Sequence, residues 1–325
     1  MKVISDFFTK LFSLRLATLA AFLILATPTI ANETPVVHQA ITFWSGGVRL
    51  SGDVFKPANL KPDQKLPGLI LMHGWGGSKA NLNNAYAPQF ASLGFVVMTF
   101  DFRSWGESDG FLVADDKLPQ EKDAGHVTVK GKHVRTVVNP LIMMVDARAA
   151  LSWFVAEPNL QVNNIGVWGT SLGGGLALVT AAGDRRIKAL VTQVGAVNNK
   201  ASFAKFPDAM VRALETRRAR GNLQPYPGAE SGSPGLKGYP DLGAMKRYDP
   251  AASWAALAVP TLVIDAEDEE MFDRKINGLA LHDSLQGRVA TRYLVLPGNH
   301  YAIYRDQGYE QALKAAQDWF VEHLK

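Results

Sequence analysis

Val167 to Gly175 reads VWGTSLGGG, which sets Ser171 inside G-x-S-x-G directly behind an apolar run. The pattern describes a buried strand that turns abruptly into a helix, with glycines where a Cβ beside the serine would clash with a strained backbone. Such a turn, a nucleophile elbow, leaves the serine oxygen exposed at the sheet edge. At ~7% glycine usage a window of this kind arises by chance in roughly one chain in ten of this length. The window gains weight only from its surroundings.

Short β-rich runs alternate with helical stretches along the chain. Leu69 to Met72, Val96 to Phe100, Ile165 to Trp168, Ala189 to Val194, Thr261 to Ile264 and Tyr293 to Leu296 have the composition of strands buried on both faces. Leu141 to Ala156 and Tyr309 to Leu324 carry apolar residues at helical spacing. Strands separated by helices predict a mostly parallel sheet flanked by helices. Ala40 to Trp44 and Val48 to Phe55, joined through Gly46 and Gly47, predict a leading antiparallel hairpin that protects the sheet edge. Two segments interrupt the alternation. Residues 111–140 are polar and charged; residues 199–258 hold an arginine-rich helical stretch, Ser202 to Arg220, and then PYPGAESGSPGLKGYPDLG, whose glycines and prolines oppose regular structure. Segments that long serve as lids or binding loops, with surface decoration as the alternative.

Composition narrows the class of protein. The chain has 325 residues and no cysteine, which excludes a disulfide framework, a thiol nucleophile and a lipidated cysteine anchor. Residues 1–31 carry Lys2, Lys10 and Arg15 ahead of LATLAAFLILATPTI, with Thr29 and Ala31 placed before a cut, the layout of a secretory signal peptide. The alternative is an uncleaved signal anchor, although the apolar run is short for a span of about 20 residues. Either way the chain is expected to be exported, to a bacterial periplasm or the medium, with no stable membrane anchor once residues 1–31 are cleaved. Without those residues the formal charge falls from +4 to +2, a balance that does not suggest nucleic acid. Residues 32–325 suffice for one large α/β domain with a lid-like insertion at about 199–258. Nothing in the residues specifies an oligomeric state.

A serine hydroxyl near neutral pH needs a histidine base, a carboxylate to fix the histidine tautomer, and donors for an oxyanion. HGWGG, His73 to Gly77, follows the strand at Leu69 to Met72, and DFRSWGESDG, Asp101 to Gly110, follows the strand at Val96 to Phe100. AEDEE, Ala266 to Glu270, follows the strand at Thr261, and LPGNHYAIY, Leu296 to Tyr304, precedes the closing helix. With these motifs in this order the mature chain resembles the α/β-hydrolase superfamily over nearly its whole length. It is most similar to dienelactone-hydrolase-like, acetyl-xylan-esterase-like and Xaa-Pro-dipeptidyl-peptidase-like serine hydrolases.

That resemblance implies roles for particular residues. Ser171 is the nucleophile and His300 the base, and the backbone amides of Trp75 and Leu172 form the oxyanion hole. Related chains carry H-G-x-x-D after the penultimate strand. Counting from Ala266 in the glycine's place gives Glu269 as the acid, and a register one residue shorter gives Asp268. His73 takes a loop-structuring role. Asp101 to Gly110 resembles D-x-R-G-x-G-x-S with Ser104 in a glycine position, a fold marker whose charges are expected to cap the turn and pair locally. His126, His133 and His282 lack any such context, and no pair shows H-E-x-x-H or similar metal spacing. No metal and no cofactor is implied. The partner is a small-molecule acyl substrate, an ester or alternatively a peptide, and a noncatalytic binding protein on the same scaffold is the reading from another class. Arg212 to Arg220 could meet anionic substrates or a membrane surface, or form a solvated lid face.

Overall fold

The computed structural model describes residues 34–118, 127–233 and 235–325. The basic and apolar leader at residues 1–31, and His126, lie outside the described residues.

Eight strands form the central sheet: β1 (Val36–Ser45), β2 (Val48–Pro57), β3 (Leu66–Met72), β4 (Val96–Phe100), β5 (Leu160–Thr170), β6 (Ile187–Gln193), β7 (Thr261–Asp268) and β8 (Thr291–Asn299). Their spatial order is β1-β2-β4-β3-β5-β6-β7-β8, and β2 runs antiparallel to both of its neighbours while every pair from β4 to β8 is parallel. The expected strands all occur, most of them longer than their apolar runs, because backbone pairing continues where side chains turn polar. The hairpin closes through Gly46 and Gly47, both at positive φ, with Ser45 paired to Val48. A two-residue loop of that kind matches the twist of the strands it joins. It leaves β1, exposed in its first half and alternating between exposed and buried from Ala40 to Ser45, at the sheet edge.

Helices cover both faces. They are α1 (Lys79–Ala85), α2 (Ala87–Ser92), α3 (Pro140–Phe154), α4 (Leu172–Gly183), α5 (Asn199–Ser202), α6 (Asp208–Ala219), α7 (Leu242–Arg247), α8 (Gly278–Leu285) and α9 (Asp306–Leu324). Successive residues of a strand point to opposite faces, and β3 divides accordingly. Ile70 and Met72 join a core layer with Phe154 of α3 and Leu176 of α4, while Leu69 and Leu71 join another with Phe90 of α2 and Phe320 of α9. Within the described part of the run PYPGAESGSPGLKGYPDLG, regular structure is limited to a 3-10 turn at Ala229–Ser231, a short strand and the start of α7. The strand, Tyr239–Pro240, pairs in parallel with Val137–Val138, so the two segments that interrupt the alternation are stitched together.

The loop after β4 corrects one expectation. Asp101 does hold its own turn, accepting from the Glu107 amide at 2.8 Å, and it also accepts from the Lys79 amide at 2.7 Å. Arg103, however, pairs at long range: its guanidinium donates to Asp146 of α3 at 2.5 and 2.9 Å, with both side chains buried. Arg49 of β2 likewise reaches Asp109 at 2.7 and 2.9 Å. A planar guanidinium matches a carboxylate edge, which makes this loop a clamp between sheet and helix. Ser104 has φ +67°, which accounts for the glycine that related sequences carry there.

A second buried carboxyl, Asp265 of β7, accepts the Tyr293 hydroxyl of β8 at 2.9 Å. Burial, reinforced by the nearby Glu269 carboxylate, pushes its pKa up to about 7.

Asp146→Ala leaves the Arg103 charge buried without its partner, and a loss of about 3–5 kcal/mol is expected in denaturant unfolding; an unchanged midpoint would refute the clamp. The Asp265 carboxyl holds its proton in the folded chain but loses it near pH 4 when unfolded, so it favours the fold at low pH and progressively less as pH rises toward 7. Asp265→Asn removes that slope: its melting temperature should exceed that of the wild type at pH 8, with the gap closing toward pH 4.

Candidate active site

Ser171 sits between the last residue of β5 and the first of α4, with φ +54° and ψ −125°. A side-chain-bearing residue takes up that backbone at a cost of order 1–3 kcal/mol, and only when its surroundings dictate it. Here they do. The Ser171 amide donates to the Gln193 carbonyl at 2.9 Å, and the Ser171 carbonyl accepts from the Gly174 and Ala196 amides, each at 2.9 Å. A Cβ on Gly173 would collide with the Met72 and His73 carbonyls, and one on Gly74 would lie 2.8 Å from the Ser171 Cβ. These glycines let the start of α4 and the HGWGG loop pass against the serine. Leu172, first in α4, belongs to the turn whose amides have no intrahelical acceptor.

His300 is held from its other side. Its Nδ1 lies 2.9 Å from both Oε1 and Oε2 of Glu269, and the two side chains are 4% and 2% exposed. With the Nδ1 proton given to the carboxylate, Nε2 is left as the acceptor. Glu269 is itself fixed by the Met271 and Phe272 amides at 2.8 and 3.2 Å, while the His300 amide donates to Glu270 at 2.9 Å. Asp268 is exposed and pairs with Asn299 in the β7–β8 ladder, where the register shifts after Ala266. Of the two candidate acids, Glu269 is the one brought to the imidazole. Phe272, Tyr301 and Tyr304 present rings edge-on to His300 at centroid distances of 5.7, 5.2 and 6.0 Å. Tyr304 ties this loop to β5 through a 2.7 Å bond between its hydroxyl and Thr170 Oγ1.

Three other described histidines are engaged in local hydrogen bonds away from this pair. His73 is buried, its pKa lowered by desolvation, and its neutral ring bridges the Gly74 carbonyl at 2.9 Å and the Phe102 amide at 3.4 Å. His133 accepts from the Gly110 amide at 2.6 Å, and His282 contacts Thr291 and Gln286. Among the described residues no cluster of three His, Cys, Asp or Glu side chains has the arrangement of a metal site.

Ser171, Leu172, Trp75 and His300 all line one cavity of about 790 Å³. The Trp75 ring forms part of its wall, and its Nε1 donates to the Lys237 carbonyl at 2.7 Å, joining the HGWGG loop to the segment that follows α6. Much of the wall comes from residues 199–258, including Phe203, Phe206, Met210, Leu214 and Met245. None of these was a candidate in the sequence. The available signal was an apolar series at four-residue spacing, Phe206, Met210 and Leu214, that runs from just before α6 into an otherwise polar helix.

With this geometry established, its relatives are informative. The model of the dienelactone hydrolase family matches residues 53–215. An uncharacterized 31.7 kDa Escherichia coli protein, encoded in the traX-finO intergenic region, is 26% identical over 291 residues, covering 80% of this chain and 92% of that one. Hypothetical protein PA2218 from Pseudomonas aeruginosa superposes with a TM-score of 0.68 at 20% identity, over 89% of this chain and 94% of its own. An acetyl xylan esterase from Paenibacillus sp. R4 does so with a TM-score of 0.58 at 17% identity, over 91% and 86%. A family match that runs from β2 through the elbow into α6, on a sheet shared with α/β-hydrolases, means that this chain belongs to the dienelactone hydrolase family and is a hydrolase with the α/β-hydrolase fold.

Proposed function

We propose that the protein is a serine hydrolase that cleaves carboxylic esters through an acyl-enzyme. The observation that carries this reading is a strained Ser171 and a buried Glu269–His300 pair opening into the same cavity. His300 Nε2 removes the hydroxyl proton as Ser171 Oγ attacks the acyl carbon. The carbonyl electron pair moves onto oxygen, which the amides of Trp75 and Leu172 receive. The imidazolium protonates the departing alcohol as the acyl–oxygen bond breaks. A water deprotonated by His300 then frees the acid and restores Ser171. Glu269 holds the ring in the required tautomer and stabilises its positive charge, and none of these steps calls for a metal or cofactor. The substrate is a small acyl compound, and the basic and apolar leader supports a place of work in the periplasm or the medium. The ester chemistry named for the Paenibacillus neighbour agrees with this assignment.

Ser171→Ala is expected to lower turnover of p-nitrophenyl acetate by at least about 10³-fold, and to abolish covalent labelling by a fluorophosphonate; turnover at the wild-type rate would sink the assignment. A preference for prolyl or aminoacyl amides over esters would move the protein to the peptidases. Glu269→Gln offers His300 the wrong hydrogen-bonding group, and kcat should fall about 10³–10⁴-fold. Asp268→Asn, which alters an exposed carboxylate, should leave kcat unchanged, and the reverse pattern would transfer the role to Asp268.

A further inference from the structure

The wall of the cavity built by residues 199–258 has a composition that needs explaining. α6 is polar over most of its surface, yet its Met210 and Leu214, one turn apart, both line the cavity, and Phe206, two residues before the helix begins, lines it with them. The described residues cover them only in part: Val211 is the sole buried residue of the helix, Phe206 and Leu214 are half-buried, and Met210 is 38% exposed. Half-buried Phe203 stacks on Phe206 at 5.5 Å and extends the same apolar strip. Large side chains left partly uncovered inside a concavity gain further burial from what enters it.

The strip is held near the reacting atoms. The segment after α6 is bonded to the HGWGG loop through Trp75 and Lys237, and α7, next in sequence, packs against α5 and α6. His300 is surrounded instead by the rings of Phe272, Tyr301 and Tyr304. A leaving alcohol must lie against His300 to receive its proton, which leaves the acyl group to the strip. The volume of about 790 Å³ lies in the upper part of the ~300–1,000 Å³ range of small-molecule pockets, far more than an acetyl group fills.

On the ester-hydrolase reading proposed above, we infer that the acyl group is a medium-to-long apolar chain seated on Phe203, Phe206, Met210 and Leu214. α6 is then the element that sets chain-length selectivity. Each added methylene that reaches the strip should raise kcat/KM about two- to fourfold until the strip is covered.

The test is a p-nitrophenyl ester series from acetate to dodecanoate, measured on the purified full chain. The expected result is a kcat/KM that climbs from acetate to an optimum at octanoate or beyond. Leu214→Trp, which fills the strip, should lower the decanoate-to-acetate ratio at least about tenfold, with circular dichroism and melting temperature showing an intact fold. A series that peaks at acetate or is flat, or a Leu214→Trp ratio equal to that of the wild type, overturns the inference while leaving ester hydrolysis in place. If no ester turns over and a fluorophosphonate leaves Ser171 unlabelled, the underlying reading fails, and the inference with it.

Discussion

The backbone at Ser171 is the constraint around which the C-terminal edge of the sheet is arranged. A serine at φ +54° and ψ −125° is stable only if neighbouring strands and loops hold it on several sides. The Gln193 carbonyl and the Ala196 amide do so from the end of β6. That restraint is itself built on strain: Val194, a β-branched residue, has φ +41°, and its amide donates to the Ile264 carbonyl of β7 at 2.6 Å. Three adjacent strands thus share the cost of one exposed oxygen. The glycines at 74 and 173 exist because this arrangement leaves no room for a Cβ.

The electrostatics follow the same economy. Two other carboxyls near His300 leave its Nδ1–H to Glu269. Asp265 stays protonated up to about pH 7 through burial, and Glu270 is engaged by the His300 amide. Glu269 has both oxygens within reach of Nδ1 and two backbone amides behind it.

The strands, the hairpin and the positions of Ser171 and His300 were legible because each rests on local pattern: apolar runs, turn glycines, and a histidine between the last strand and the closing helix. Which carboxylate meets His300 was legible only to within one residue. Side chains alternate faces along a strand, so a register shift at Ala266 decides which carboxylate faces the imidazole, and nothing in AEDEE announces it. The Arg103–Asp146 clamp was missed because its partners lie 43 positions apart and neither has a local signature. The cavity wall was hidden for a related reason. Phe206, Met210 and Leu214 stand among arginines and glutamates, and a short apolar series in a polar helix does not say which surface it will face.

The Trp75–Lys237 bond and the Tyr239–Val137 bridge bear on how modular this scaffold is. Grafting a different 199–258 segment onto the sheet, as one would to transplant selectivity between homologues, exchanges more than a binding wall. The incoming segment must offer a carbonyl to the Trp75 indole and a strand edge to Val137. Without them the recipient's HGWGG loop loses its outer support. Compatible grafts are those from donors whose chain crosses these two points at the same height above the sheet, whatever side chains line the space between them.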